Sequence, residues 1–348
     1  MMQVLMIGIV YHHDYNKYDL GTTHPLVGDK PKKTIEYLEK TGILHELTQF
    51  APTKATDDDL LRVHAKQYVD KIKSLSKTGG MLAFDTPAPV GIYDIAALAT
   101  GGTMLAGEKL FSGFDCMINP LAGFHHASSS TSSGFCFFND IAVTIEYLRQ
   151  KYQLQRFLIV DLDVHHCNGT QDIYYDDPTV MTISFHQDGR TLYPGTGAID
   201  KIGRDVGEGY NVNLPLPPGT GNQSVRYAFH ELIPSLGMQF NPQVIIYQSG
   251  VDTHHSDPLA DLKLTYQIYY HLGKNMKTLS TKTCNKLLVA FGGGYNSDAS
   301  VKSYYNLVCG LLGKREHITE NEIADPNSQE VKALVNRIKT ILKDHWNF

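Results

Sequence analysis

From Asp161 to Asn168 the chain reads Asp161-Leu-Asp163-Val-His165-His166-Cys167-Asn168, two carboxylates and two imidazoles in close succession. Side chains alternate along an extended chain, so Asp161, Asp163 and His165 would share one side. Carboxylate oxygen and imidazole nitrogen suit zinc, and also iron, manganese or cobalt. Asp252 is available as a third ligand beside Asp163 and His165. Three protein ligands leave a position for water, the arrangement of a catalytic rather than a structural ion. Hydrolysis also needs a base for the water's proton and an acid for the leaving group. The adjacent His125 and His126 could divide that work, with Asp161 a partner for one ring and Asn168 for the other. Tyr295 follows Gly292, Gly293 and Gly294, and its hydroxyl could reach a carbonyl and the oxyanion that develops from it. The further pairs His12-His13, His165-His166 and His254-His255 show how readily such doublets arise, and most are read as supporting or surface positions.

Chemistry of this kind needs rigid elements to aim it. Phe157 to Val160 is a short run of apolar residues with no polar alternation, which predicts a strand covered on both faces in a parallel sheet. Ligands bind at the carboxyl ends of such strands. Other runs end in the same way: Val4 to Tyr11 before His12-His13-Asp14, Val180 to Phe185 before His186, Val244 to Tyr247 before Gly250-Val-Asp252, and Leu287 to Phe291 before the three glycines. Asp115 to Asn119 is a further strand, leading into Gly123-Phe124-His125-His126. Helical spacing is found from Thr34 to Lys40, from Asp57 to Ser76, from Ile95 to Phe111, and after a cap at Asn139 or Asp140. A last helix carries Val331 to Leu342, with Asp325-Pro326 as its start. Gly79 to Pro89 reads as a loop with Phe84 and Asp85 at its middle, and Tyr193 to Gly197 as a turn. Ser128 to Ser133 has linker composition, but Gly134-Phe135-Cys136 directly after it predicts an ordered loop. The strand-then-helix rhythm predicts one α/β domain over residues 1–348, with a mainly parallel central sheet and helices on both faces.

Composition narrows the classes. A net charge of −5 gives no reason to expect a nucleic-acid or membrane surface. Five widely spaced cysteines with no CxxC pair fit a reducing compartment. The apolar run at the N-terminus has no basic flank or cleavage pattern, and no stretch is long enough to span a bilayer. The expectation is a cytoplasmic protein, with nuclear and exported locations left open.

Taken in order, these residues resemble the histone deacetylase family, which has the arginase/deacetylase fold. The resemblance runs from His24-Pro25 to Tyr295. It is carried by Gly123-Phe-His125-His126-Ala127, Gly134-Phe-Cys-Phe-Phe-Asn-Asp140, Asp161-Leu-Asp-Val-His-His-Cys-Asn-Gly-Thr170, Pro194-Gly-Thr-Gly197, Asp252-Thr-His-His-Ser-Asp-Pro-Leu259 and Gly292-Gly-Gly-Tyr-Asn296. The resemblance implies a zinc-dependent deacetylase holding Zn2+, or Fe2+ or another divalent metal, on Asp163, His165 and Asp252. His126 would be general base and acid, His125 an electrostatic partner held by Asp161, and Tyr295 the group that polarises the acyl carbonyl. Gly134, Phe135 and Tyr193 match the family's narrow acyl-lysine tunnel, and Asp85 a rim acid that holds the substrate backbone. A monovalent cation, K+ or Na+, would sit near Asp161, Asp163, His165, Ser184 and Phe185. The implied partner is an acetylated lysine peptide or protein, or a small acylated amine.

Four positions depart from common family patterns. Asn168 stands where many members have Asp, Cys167 replaces a usual glycine, and Lys30 occupies a position often held by arginine. Leu259 lies where polyamine-selective relatives carry Glu, which argues against a cationic polyamine substrate. A ureohydrolase on the same fold would need carboxylates at His254 and Cys167 for its second metal, and they are absent. A silent acyl-lysine binding protein would have no use for the full set of ligands, both histidines and Tyr295.

Overall fold

The computed structural model of the protein describes residues 6–21, 23–26 and 28–348. In chain order its strands are β1 (Ile7–Val10), β2 (Thr48–Phe50), β3 (Gly80–Ala83), β4 (Thr86–Ala88), β5 (Cys116–Asn119), β6 (Phe157–Asp161), β7 (Val180–Gln187), β8 (Asn211–Leu216), β9 (Val244–Gln248) and β10 (Leu287–Ala290). The chain packs as two compact units. The first takes residues up to Leu154, with Asn168–Ile173 and Leu288–Gly292; the second takes Gln155–Cys167, Tyr174–Leu287 and Gly293–Phe348.

In the first unit the strands lie in the order β2-β1-β5-β10, with β1 parallel to β2 and β5. Its helices are α1 (Lys30–Lys40), α2 (Asp57–Leu60), α3 (Lys66–Thr78), α4 (Ile92–Lys109), α5 (Asp140–Tyr152) and most of α6 (Asn168–Tyr174). The Ala- and Gly-rich middle of α4 is buried, since small side chains let it pack closely. Asn139, rather than Asp140, caps α5, accepting from the Ala142 amide at 2.9 Å. The Asp140 carboxylate is then free to accept from the backbone N–H of Gly123 at 3.1 Å and of Phe124 at 2.8 Å. That fixes the turn entering His125.

In the second unit the order is β9-β6-β7-β8, every neighbouring pair parallel. Asp161 faces Ser184 on one side and Gln248 on the other, so three strands end at one level. β6 and β9 are buried along their whole length, as their unbroken apolar runs require. α7 (Asn222–Phe240), α8 (Tyr266–Lys282), α9 (Ser297–Leu312) and α10 (Ser328–Leu342) complete it, α8 packing extensively on α9. The mainly parallel α/β class expected from the sequence is the one observed. Among the described residues, no helix is long and apolar enough to cross a membrane.

Some local expectations are corrected. The strand expected from Val4 is seen as Ile7–Val10; Val4 and Leu5 lie outside the described residues. The α1 helix begins at Lys30, a turn before Thr34, because Pro31 suits a first turn. Asp57–Ser76 is not one helix but α2 and α3. The chain breaks at His64, whose buried ring contacts the Ser128 carbonyl and accepts the Asn139 amide, and Ala65 is extended. Gly79–Pro89 is not a plain loop: β3 and β4 pair antiparallel there, with Phe84 and Asp85 at the turn. Proline in β4 is tolerated in a two-stranded edge. The last helix starts at Ser328, past Pro326, because Asp325 is engaged with the Ser224 amide at the start of α7 and Asn327 with the Pro218 carbonyl.

Candidate active site

The cluster of carboxylates and imidazole is built at the carboxyl ends of β6 and β9. The chain does not stay extended after Asp161; it turns. Asp161 Oδ1 accepts the Asp163 amide at 3.1 Å, and Asp163 Oδ1 accepts the His165 amide at 3.0 Å, so each carboxylate folds the residues that follow it. His165 Nδ1 comes to 3.1 Å from Asp163 Oδ1 and 3.2 Å from Asp252 Oδ2. One ligand atom from each of Asp163, His165 and Asp252 lies within 4.8 Å of the others, and all three residues are buried. The remaining oxygens are held from outside: Asp163 Oδ2 by the Gly293 amide at 2.9 Å and Gln248 Nε2 at 3.2 Å, Asp252 Oδ1 by the Val164 amide at 2.9 Å.

These residues fit a divalent metal. A Cβ on Gly250 would sit 2.1 Å from Asp163 Oδ2, and one on Gly293 would sit 1.9 Å from Asp252 Oδ2, so the backbone approaches the carboxylates as only glycine allows. Burial disfavours a charged His165 ring, yet the carboxylates of Asp163 and Asp252 outweigh it and lift the ring to about 10. Burial and then the charge of Asp163 push Asp252 up to about 7. Two buried carboxylates around one nitrogen favour a positive charge at their centre, which a divalent ion bound by Asp163, His165 and Asp252 would supply.

Tyr295 belongs to the same unit. Its backbone amide donates to Asp257 Oδ2 at 2.7 Å, while Asp257 Oδ1 accepts from the Leu259 amide at 3.0 Å. Asp257 thus joins two loops, and the Tyr295 ring stands edge-on to the His165 ring at 6.4 Å. The Tyr193 ring, 41% exposed, is edge-on to His165 at 6.3 Å. Neither Asp257 nor Gln248 is assigned a role by sequence reasoning. Gln248 is signalled by its place at the end of β9, and Asp257 by its place inside the Asp252–Leu259 motif.

In the first unit His125 and His126 are buried, with their Nε2 atoms 3.1 Å apart. His126 Nδ1 lies 2.6 Å from Asn168 Oδ1. A carbonyl oxygen can only accept, so Nδ1 donates to Asn168, and in the neutral ring Nε2 holds the lone pair. Gly134 adopts φ +54°, and a Cβ there would lie 2.1 Å from the His126 ring. Asp85 Oδ2 accepts the Gly134 amide at 2.9 Å and Asp85 Oδ1 accepts the Thr86 hydroxyl at 2.8 Å. Phe135, held at φ 68°, has its carbonyl bound by the Tyr18 hydroxyl at 2.8 Å, and its ring meets His24 edge-on at 4.4 Å. Asp85 therefore positions the turn that carries Phe135.

A family model described as Histone deacetylase domain matches residues 24–311. The chain belongs to the histone deacetylase family. It is 36% identical over 332 residues to a "Probable deacetylase" of Archaeoglobus fulgidus, covering 93% of this chain and 90% of that protein. It is 34% identical over 296 residues to the acetoin utilization protein AcuC of Bacillus subtilis, covering 82% and 76%. With histone deacetylase 14, chloroplastic, of Arabidopsis thaliana it shares 33% identity over 306 residues, covering 82% and 72%. The crystal structure of the HDA15 HD domain matches with a TM-score of 0.88 and 26% identity, over 99% of this chain and 96% of that one. The histone deacetylase fold thus extends over nearly the whole sequence.

The departures from common histone deacetylase patterns have visible settings. Cys167 is fully buried, and burial, with the charge of Asp161 adding to it, pushes its thiol well above the usual range. The Lys30 ammonium donates to the Gly292 carbonyl at 2.7 Å. His254 turns its ring to Glu320, with Nε2 2.9 Å from Oε1. Asn168 puts a neutral group where a carboxylate would favour a charged His126. Asn168→Asp should therefore move the acidic limb of the kcat/KM profile to higher pH, since an added negative charge holds the proton on His126. An unmoved limb would show that His126 is not the group titrating.

Proposed function

We propose that the protein is a metal-dependent amide hydrolase that removes acetyl or other acyl groups from lysine side chains of proteins. The observation that carries this reading is the buried Asp163–His165–Asp252 cluster with the Tyr295 ring beside it, in a chain of this family. Asp163, His165 and Asp252 would hold the ion, zinc by the donor set, with iron, manganese or cobalt compatible. When bound, the metal supplies Lewis acidity at the acyl carbonyl and activates water.

The side chains do the rest. His126 takes the water's proton on Nε2, the nitrogen on the far side of the ring from the Asn168 contact, and returns a proton to the departing amine. His125, 3.1 Å away, shares that proton load, and Asp161 is assigned to hold it. The Tyr295 hydroxyl donates to the oxygen of the acyl group as negative charge grows on it. Phe135 and Tyr193 are assigned as walls for a neutral acyl-lysine chain, Gly134 as the residue that leaves room for His126, and Asp85 as the group meeting the substrate backbone. Leu259 offers no charge to a polyamine. Asp161, Asp163, His165, Ser184 and Phe185 are assigned to K+ or Na+; the register of Asp161 opposite Ser184 supports this.

Turnover of an acetyl-lysine peptide and of a small N-acetylated amine, with metal analysis on the same sample, tests the reading. Peptide cleavage supports it, cleavage of the small amine alone moves the substrate class, and binding without cleavage removes the activity. Tyr295→Phe should lower kcat by about 10²–10³-fold, as loss of an oxyanion donor does, with metal content unchanged. Unaltered kcat in that variant would remove Tyr295 from the reaction.

A further inference from the structure

Among the described residues a second group of metal-ligating side chains, His254, His255 and Glu320, lies in the second unit, and none of the roles above uses it. One ligand atom from each lies within 4.8 Å of the others. His254 Nε2 is 2.9 Å from Glu320 Oε1, and His255 Nε2 is 3.3 Å from Glu320 Oε2, so one carboxylate faces two ring nitrogens. The groups are held from behind. The Tyr266 amide donates to Glu320 Oε1 at 2.9 Å, and the His254 ring lies against the Tyr266 ring at 4.5 Å. Ser256 Oγ sits 2.9 Å from His254 Nδ1, the kind of outer partner that orients a metal-binding imidazole. The His254 side chain is 2% exposed, those of His255 and Glu320 30% and 25%, so the cluster is closed on one side and reached by water on the other.

We propose that His254, His255 and Glu320 form a second divalent-metal site, taking Zn2+ or a neighbouring first-row ion with two imidazoles, one carboxylate and water. That donor set is one zinc accepts. The Ser256 amide lies 3.3 Å from His254 Nδ1, which places the ring's proton on Nε2, toward Glu320. Binding through Nε2 would move that proton to Nδ1, where Ser256 Oγ accepts it and the long contact from the Ser256 amide is given up. Lys302 is the opposing charge nearby, and its ammonium is paired with Asp298 at 2.7 Å. His254 follows the Asp252 ligand by two residues, so an ion here ties the loop after Asp252 to the segment carrying Glu320. This site does not depend on the Asp163 cluster being catalytic.

The test is a titration of the chelator-stripped full chain with Zn2+ by calorimetry and with Co2+ by absorption. Wild-type protein should take a second, weaker equivalent with its own Co2+ band. His255→Ala and Glu320→Gln should each lose that equivalent and band while keeping the tighter one, and Asp163→Asn should lose the tighter one alone. His255 is partly exposed, so its replacement leaves no buried group unpaired, and thermal melting checks that each variant is folded. A single equivalent in wild type, a second one that survives both substitutions, or loss of both equivalents together would overturn the proposal. Survival would direct attention to His12, His13 and Asp14, a further cluster of ligating groups among the described residues.

Discussion

Asp163→Asn is expected to give a folded protein that holds no metal at the first cluster and turns over no acyl-lysine substrate. Asparagine keeps one oxygen for the amides of His165 or Gly293, so the turn survives. It removes one of the two carboxylate charges to which the proposed ion would bind. A Lewis acid at a carbonyl is worth several kcal/mol, so turnover should fall by at least about 10³-fold. Chelation of the wild-type protein should produce the same loss, and adding back a divalent metal should reverse it. Metal analysis and a peptide assay on the same preparation check both. Full activity in a chelated, metal-free sample would end the hydrolytic reading, whereas activity restored by Mn2+ or Fe2+ but not Zn2+ would only change the ion.

His126→Ala is expected to lower kcat by about 10²–10⁴-fold, the worth of a positioned general base and acid, while KM stays within a few-fold. The geometry behind this is specific. His126 is buried, its Nδ1 proton is committed to Asn168, and Gly134 leaves its ring room that any side chain would take. His125→Ala should cost less, because in the proposed mechanism its ring would act on the proton only through its neighbour at 3.1 Å. Steady-state kinetics over a pH series distinguish the two: the bell should collapse in the His126 variant and only shift in the His125 variant. A His125 variant that loses more than the His126 variant would exchange their roles.

Much of the chemistry was legible in the residues because it obeys local rules. An unbroken apolar run predicts a doubly covered strand, parallel strands end at one edge, and Asp163, His165 and Asp252 stand just past two such ends. The helix break at His64 and the β3–β4 hairpin were not legible. The first depends on a buried histidine bonded to Ser128 and Asn139, the second on Gly and Pro that elsewhere mark loops.

The sequence by itself determined the parallel α/β class, the family, and the kinds of atoms that could meet a metal. Only the tertiary structure decided how those atoms are aimed. Asp163 is oriented by Gln248 and Gly293, 85 and 130 residues away, Tyr295 by Asp257 at 38, and His254 by Glu320 at 66. The reason is physical: residue type and period act over neighbouring positions, whereas a hydrogen bond between distant segments forms only once the chain has packed.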